Sequence, residues 1–542
     1  MTQAETSRAE QRRLERLSPF ELKGRLIRLA GDHKKKDALA MLNAGRGNPN
    51  WTAAPPRDAL FLLGRFAVLE CKRDWDEWPA VAGMPRADGI AERLRVFLDG
   101  HAGEPGADLL RRMLDGVPEG DADALVHEFA DAVIGDNYPV PDRMLPHMER
   151  IVHDYLVDAL CAGAAPDRPY DLFATEGGTA AMCYVFDSLQ ANRLLHRGDR
   201  IALMTPIFTP YLEIPGLERY AFDVTHIRAS RTTVRGFHTW QYDDAEIDRL
   251  ADPAIRLLCL VNPSNPPSVM LDGRTLDRIA RIAAERNRDL IIVTDDVYGT
   301  FVEGFTSLLA AAPRNTIGVY SFSKYFGATG WRLGVVALHP DNVIDERIAR
   351  LGADDTEALR RRYGSITLDP GSLRFIDRMV ADSRAVALNH TAGLSTPQQA
   401  QMALFALFDR LSDDREYRGP TREIIARRLR ALADGAAVDP PENPLQAGYY
   451  VELDLLEWAE RQWGPEFAAW LRATFEPVDP VFRLAADDSV VLLNGGGFDG
   501  PEWSVRVSMA NLTHDAYERI GRALTEIGDY YLTRYRAETG RR

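Results

Sequence analysis

Cysteine is scarce. The chain has 4 in 542 residues, namely Cys71, Cys161, Cys183 and Cys259, with no CxxC pair among them. That excludes a disulfide framework and a cysteine-based zinc ligand set, and it suits a reducing compartment. Positive charge is also in deficit, with 65 Lys+Arg against 80 Asp+Glu and a formal net charge of −15. The average surface therefore repels nucleic acid and anionic membrane. No run of 18 apolar residues occurs, and the first thirty residues carry charges throughout where a signal peptide would have an apolar centre. His147 and His153 lack metal-ligand spacing, so no metal is expected. The expectation is a soluble cytoplasmic protein with a small-molecule partner. At 45% hydrophobic and 27% charged residues, the chain has the composition of an ordinary globular protein.

Residues 1–40 combine charge with leucines at helical spacing (Leu14, Leu17, Leu22, Leu26), which predicts a helical arm packed on the body or on a neighbouring subunit. The segment AGRGNPNW (44–51) forces an irregular loop. Residues 85–135 are acidic and helical in pattern, and ADLLRRMLDG reads as an amphipathic helix closed by Gly116. From about residue 170 short apolar runs alternate with helical segments: IALM (201–204), LLCLV (257–261), LIIVT (290–294), TIGVYSF (316–322) and LGVVAL (333–338). This rhythm predicts an α/β fold with a mainly parallel sheet flanked by helices. Residues 340–395 are helical and charged, an insertion. Residues 420–542 mix helices with the strands GYYVELDL and WSVRVSMA and close on a helix from Asp515 to about Tyr531. The division expected is a helical arm (1–40), the N-terminal part of a small domain with a helical insertion (41–136), a large domain (137–395) and the C-terminal small α/β domain (396–542).

In an open α/β sheet, ligands lie beyond the carboxyl ends of the strands. Five segments sit at such places. Lys324 follows a buried strand, between Ser321, Ser323 and, eight residues on, Arg332. A lysine desolvated there offers a neutral amine for a Schiff base with an aldehyde, while hydroxyls and a guanidinium supply what a phosphate needs. IIVTDDVYGT brings Asp295, Asp296 and Tyr298 to the sheet edge. A carboxylate there can keep a pyridine nitrogen protonated, and a phenol can reach a ring oxygen. Asn265 stands at the end of another strand. Gly177, Gly178 and Thr179 open a helix running to about Ala191, whose free N–H groups and dipole favour a phosphate. Phe208 is placed either to stack on a flat ring or to fill the core. Singly, each has a plain structural reading: a strand-end lysine, a capping aspartate, a Pro-Asn turn, a routine helix start. The glycines 495, 497 and 500 satisfy GxGxxG but precede Pro501 and a strand, so they are not a dinucleotide fingerprint.

Taken together, SFSKYFGATGWRLG, TDDVY, NPSNPPS, ATEGGTAA and RVSMA resemble, in order and spacing, the fold-type I pyridoxal phosphate enzymes of the aspartate aminotransferase superfamily, over roughly residues 40–535. The chain length, AGRGNPNW, GDNYPVPDRML and two helical insertions make the chain similar, within that superfamily, to the L-aspartate β-decarboxylases, which release carbon dioxide and L-alanine. The resemblance implies a large domain on a seven-stranded sheet, a smaller α/β domain, pyridoxal 5'-phosphate as cofactor, L-aspartate as substrate and a homo-oligomer of at least two subunits. It implies that Lys324 carries the cofactor and moves protons, that Asp295 faces the pyridine nitrogen, and that Asn265 and Tyr298 bind the ring oxygen. Phe208 would stack on the ring. Gly177, Gly178, Thr179, Ser321, Ser323 and Arg332 would hold the phosphate, joined by Tyr138 from the neighbouring subunit. Arg506 would grip the substrate α-carboxylate, with Asn265 beside it and Gly47 closing over it, and Arg46 is the candidate for the distal end. Two readings compete: an aminotransferase for aspartate or another dicarboxylic amino acid, and a regulator that binds the cofactor without turnover. The familiar NPxNPTG loop reads NPSNPPS here, so its turn is expected to differ.

Overall fold

A computed structural model of the chain describes residues 7–37, 41–75, 77–116, 119–233, 238–388, 393–438 and 443–540. Residues 1–6 and 38–40 of the expected arm and 389–392 of the expected insertion lie outside the described residues.

The first strand, β1 (Leu42–Asn43), opens the body. The large sheet then uses β2 (Asp171–Thr175), β3 (Arg200–Thr205), β4 (Asp223–Arg228), β5 (Ile255–Val261), β6 (Ile291–Asp295), β7 (Thr316–Ser321) and β8 (Gly334–Leu338). Their order is β2-β8-β7-β6-β5-β3-β4. All neighbours run parallel except β8, which is antiparallel to both β2 and β7. The five apolar runs of the sequence are β3, β5, β6, β7 and β8. They are continuous because both faces of the sheet are covered. Leu257, Cys259, Ile291 and Val293 face the main core, while the alternating Leu258, Leu260 and Ile292 face a second one. The apolar runs leave out the two edge strands, β2, which buries residues 172–175, and β4, of which only Ile227 is buried.

The C-terminal part carries β9 (Tyr450–Asp454), β10 (Val490–Val491), β11 (Leu493–Asn494) and β12 (Ser504–Ser508). Strands β11, β12 and β9 form an antiparallel sheet in which Arg506 lies directly opposite Glu452. β1 pairs in parallel with β10, which ties residues 42–43 to this C-terminal unit. The closing helix runs from His514 to Thr539, two turns beyond the expected end. Tyr531 is buried and Tyr535 packs edge-on against Phe467 and Trp470. The helix stops only where Gly540 adopts φ 68°.

The arm forms helices Arg8–Leu14 and Pro19–Asp37. Leu14, Leu22 and Leu26 are buried, whereas Leu17 is exposed. The second helix packs on helix Asp479–Asp487. The helices expected over 85–135 are Ile90–Gly100, Ala107–Asp115 and Ala122–Ile134, and the insertion after residue 340 contributes Val343–Ala349, Ala353–Tyr363 and Phe375–Ser383. Among the described residues no helix is long and apolar enough to cross a membrane.

Candidate active site

The carboxyl ends of β5, β6 and β7 meet the C-terminal sheet and the 44–51 loop at one cleft. Lys324 lies three residues past β7, and its Nζ donates to the carbonyl of Gly47 at 2.9 Å. Tyr449 donates its hydroxyl to the same carbonyl at 2.9 Å. A methyl group built on Gly47 would lie 2.7 Å from the Tyr450 hydroxyl and 3.0 Å from Lys324 Nζ, so no other residue fits there without displacing both.

Below Lys324 is an anion cradle. Helix Gly178–Ala191 begins at Gly177, held at φ 96°. A side chain there would strike Arg332, whose Nη2 lies 2.5 Å from the position of such a Cβ. Arg332 itself sits at φ 58° and donates to the carbonyls of Thr329 and Glu176 at 2.9 and 3.3 Å. Ser321 donates its hydroxyl to Ser323 at 3.0 Å, and the Cβ of Ser321 would touch a side chain at Gly178. Thr179 is exposed on the first turn of the helix. Free N–H groups at a helix start, two hydroxyls and a guanidinium offer the donors and the charge that a phosphate needs.

Asp295 ends β6 deep in the cleft and partly accessible from it. Burial pushes its carboxyl up to about 7, against the opposing effects of the Val297 N–H and the charge on Lys324. Its neighbour Asp296 is also pushed to about 7 by burial, but both its oxygens are taken by the Ser307 and Thr294 hydroxyls, so it braces the strand end. Tyr298 is buried and donates its hydroxyl to Tyr450 at 3.3 Å. Phe208 is half-buried, edge-on to Phe20 of the N-terminal arm with centroids 6.1 Å apart. The NPSNPPS turn is built on cis peptide bonds at Asn262–Pro263 and Asn265–Pro266.

Arg506 is 1% exposed. Its Nη1 donates to Asn265 Oδ1 at 3.1 Å and its Nη2 to the Gly45 carbonyl at 3.2 Å, while Nε has no partner. Its guanidinium lies 4.2 Å from the centroid of Tyr450 and 5.1 Å from that of Phe498. Among the described residues no carboxylate lies within ion-pair distance of it, and the buried Glu452 opposite it on β9 acts on it only from further away. Lys23 of the arm stands beside it: burial lowers its ammonium pKa, and the charges of Arg506 and Arg46 lower it further. Arg46 is exposed at the mouth. The structure thus gathers Lys324, Asp295, Tyr298, Asn265, Arg506, Gly47 and Arg46 around one cleft, with the cradle of Gly177, Gly178, Ser321, Ser323 and Arg332 beneath. Tyr138 is 66% exposed and is not among the side chains gathered around Lys324.

The sequence reading missed Phe20, Lys23, Tyr449 and Tyr450. The leucine spacing of the arm gave only a packing signal, and GYY reads as the start of a strand. The one available hint is Gly448, which precedes the two tyrosines and takes φ 66°.

Known proteins share both this sequence and this fold. The chain is 46% identical over 530 residues to a Pseudomonas protein named bifunctional aspartate aminotransferase and L-aspartate beta-decarboxylase, covering 97% of this chain and 98% of that one. It is 27% identical over 236 residues to an aspartate aminotransferase of Pyrococcus horikoshii, covering 43% of this chain and 56% of that one. Among solved structures, a Thermus thermophilus aspartate aminotransferase with maleate superposes at TM-score 0.57 with 17% identity, covering 97% of this chain and 100% of that one. An N-succinyldiaminopimelate aminotransferase of Mycobacterium tuberculosis does so at 0.56 with 17% identity, covering 97% and 100%. The sequence model described as "Aminotransferase class I and II" matches residues 174–524, a span that opens just before the cradle and runs past Arg506. With that span matched and the Pseudomonas relative aligned almost end to end, the chain belongs to the class I and II aminotransferases, the fold-type I enzymes that work with pyridoxal 5'-phosphate.

Proposed function

We propose that this protein removes the distal carboxylate of L-aspartate as carbon dioxide, yielding L-alanine, and transaminates the same amino acid as a side reaction. The observation that carries the reading is Arg506, a buried guanidinium without a carboxylate partner among the described residues, with Lys23 and Arg46 beside it. An unpaired buried cation calls for an anionic ligand, and several cations at one cleft match an amino acid with two carboxylates. The Pseudomonas relative, named for both activities, supports the choice of aspartate.

The residues present fit pyridoxal 5'-phosphate, because the Gly177–Arg332 cradle offers an anion its donors and Asp295 is a desolvated carboxyl that, among the described residues, makes no ion pair, the charge of Lys324 reaching it only from a distance. Gly177, Gly178, Thr179, Ser321, Ser323 and Arg332 would hold the phosphate, Asp295 would face the ring nitrogen, Asn265 and Tyr298 the ring oxygen, Phe208 the ring face, and Lys324 would carry the cofactor covalently. Bound there, it supplies a ring that accepts the electrons released when bonds to the substrate carbons break.

The protein supplies the rest. Arg506 binds the α-carboxylate and fixes the amino acid against Lys324. Lys324, once free, takes the Cα proton and returns it as general base and then acid. Gly47 closes over the substrate without a side chain to obstruct it. Arg46, exposed at the mouth, offers the distal carboxylate only a loose, screened partner. A carboxylate held loosely in a dry cleft departs as carbon dioxide more readily than one locked in a tight ion pair. The chain would divide at about residues 40, 136 and 395 into a helical arm, the N-terminal part of the small domain with its helical insertion, the large domain and the C-terminal small α/β domain. Tyr138, exposed on a single chain, would complete the phosphate site of a neighbouring subunit, making the enzyme at least a dimer. Its four free thiols suit the reducing cytoplasm.

The test is product analysis. Enzyme loaded with pyridoxal 5'-phosphate and given L-aspartate without any 2-oxo acid should release carbon dioxide and alanine in equal amounts. An enzyme that leaves aspartate intact until a 2-oxo acid is added, and then makes no carbon dioxide, is a plain aminotransferase.

A further inference from the structure

Decarboxylation at Cβ leaves that carbon in need of a proton, one bond further from the nitrogen than the proton Lys324 handles. The cleft holds a second proton donor, a hydroxyl, at the right place. Tyr450 is 2% exposed, and its hydroxyl and Lys324 Nζ flank the same point over Gly47, at 2.7 and 3.0 Å. Its ring carries the Arg506 guanidinium at 4.2 Å. A substrate whose α-carboxylate rests on Arg506 and whose nitrogen lies where Lys324 reacts must lay its Cα–Cβ bond across the space between these groups, where the Tyr450 hydroxyl points.

From this geometry, and resting on the decarboxylase reading above, we propose that the Tyr450 hydroxyl protonates Cβ. The bond between Cβ and the distal carboxylate breaks with its electron pair kept by the substrate, and carbon dioxide leaves. That pair forms the new C–H bond at Cβ with the phenolic proton as the Tyr450 O–H bond breaks. The phenolate is reprotonated through the Lys324 ammonium, which is recharged from water, so one solvent proton is consumed per carbon dioxide released.

The surroundings suit a phenol that must give up its proton. Burial alone would raise the pKa of Tyr450, yet the charges of Lys324 and Arg506, the hydroxyl donated by Tyr298 and the charge of Lys23 bring it below the ordinary value. Burial pushes the adjacent Tyr298 and Tyr449 the other way. Tyr298 donates to Tyr450 at 3.3 Å in the cofactor-free protein; with that hydroxyl turned to the ring oxygen in the loaded enzyme, the charges of Arg506 and Lys324 remain to stabilise a developing phenolate.

Tyr450→Phe tests the assignment, because it keeps the ring under Arg506 and removes only the hydroxyl. General acid catalysis by a positioned group contributes ~10²–10⁴-fold, so alanine formation from aspartate should fall by at least ~100-fold. The transamination half-reaction from aspartate to oxaloacetate needs no proton at Cβ, so it should fall much less, and the ratio of alanine formed to oxaloacetate formed should drop by at least ~30-fold. A second measurement is independent of turnover. Ultraviolet pH titration of cofactor-free protein should show one tyrosine ionising below the ordinary range of about 10, and that step should vanish in the variant. Wild-type enzyme that makes no alanine overturns the decarboxylase reading itself. Wild-type enzyme that makes alanine, with a variant that makes it equally well or loses both reactions in parallel, overturns only the role of Tyr450, as does the absence of an early-ionising tyrosine.

Discussion

Replacing Asp295 with Asn should stabilise the protein while destroying its chemistry. The carboxyl is pushed up to about 7 by burial, whereas in an unfolded chain it ionises at about 3.9. A carboxyl that holds its proton more tightly in the folded state makes the unfolded state the better acid. Folding stability therefore falls as pH rises from about 4 to about 7, and stays lower above that. At ~1.4 kcal/mol per pH unit the interval is worth ~4 kcal/mol. Water reaching Asp295 from the cleft lowers the figure, so ~2–4 kcal/mol is the range to expect. The asparagine keeps an oxygen for the Val297 N–H and removes the ionisation. It also relieves Asp296, whose carboxyl the charge of Asp295 helps to push up.

The assay is urea unfolding of cofactor-free wild type and Asp295→Asn from about pH 4 to about pH 8. The curves should coincide at the acid end and diverge with rising pH, with the variant the more stable. With cofactor present the order of merit reverses. The variant lacks the charge that would face the ring nitrogen, and it should bind cofactor at least ~10-fold more weakly and turn over ~10²–10³-fold more slowly. Parallel stability curves for the two proteins across the whole range would refute the reasoning, since the carboxylate would then be solvated and no desolvated anion would await a cationic partner.

Arg506→Gln removes the buried cation, and steady-state kinetics should show KM for aspartate raised ~10²–10³-fold, the loss of a desolvated charge pair; an unchanged KM would free Arg506 from binding the α-carboxylate. Gly177→Ala puts a methyl group 2.5 Å from Arg332 Nη2 at φ 96°, so absorbance titration should show cofactor affinity at least ~10-fold weaker with helical content unchanged. Equal affinity would place the phosphate elsewhere. His238 joins β9 and the helix after it through Asp454 at 3.1 Å and Glu457 at 3.2 Å. Burial alone would lower its pKa, yet the two carboxylates raise it. Its stabilisation is thus fully present below about 6.5 and lost as pH rises through the higher folded value. His238→Gln should cost ~1 kcal/mol at the acid end and nothing at the alkaline end; melting curves that differ equally at both ends would discard this linkage.

The sheet was legible because it is buried on both faces, which writes each inner strand as an unbroken apolar run. The edge strand β4 carries no such run, since only Ile227 is buried, and nothing in DVTHIR distinguishes it from a loop. The segments proposed for the cofactor around Phe208, Asn265, Asp295 and Lys324 each follow an apolar run at a strand's carboxyl end, whereas Gly177, Gly178 and Thr179 follow β2 and were singled out by their glycines alone. Within TDDVY, though, composition cannot say which aspartate faces the cleft. The hydroxyls that claim Asp296 come from Thr294, two residues back, and from Ser307, eleven residues on, and the second is visible only in the fold. Phe20 and Lys23 were illegible for a different reason. They lie on the buried side of a helix whose leucines already explain its packing, and only the docking of that helix against Phe498 and Arg506 gives them a place in the site. Tyr450 was hidden in the same way, as one more aromatic residue at the start of a strand.

Gly47 shows why the cleft needs this many aromatic hydroxyls. Its carbonyl accepts from Lys324 Nζ and from the Tyr449 hydroxyl, both at 2.9 Å. In the proposed cycle Lys324 must leave that carbonyl each time it bonds to the cofactor and may regain it only when the substrate takes its place. A half-buried carbonyl abandoned by its sole donor would lose up to ~1–3 kcal/mol, a penalty charged against every turnover. Tyr449 keeps the acceptor satisfied in both positions of the lysine, so the swing costs little and the loop over the substrate keeps its shape. The two adjacent tyrosines at the entry to β9 therefore divide the work: Tyr449 holds the loop that Lys324 leaves, and Tyr450 lies under Arg506 with its hydroxyl beside the reacting carbons.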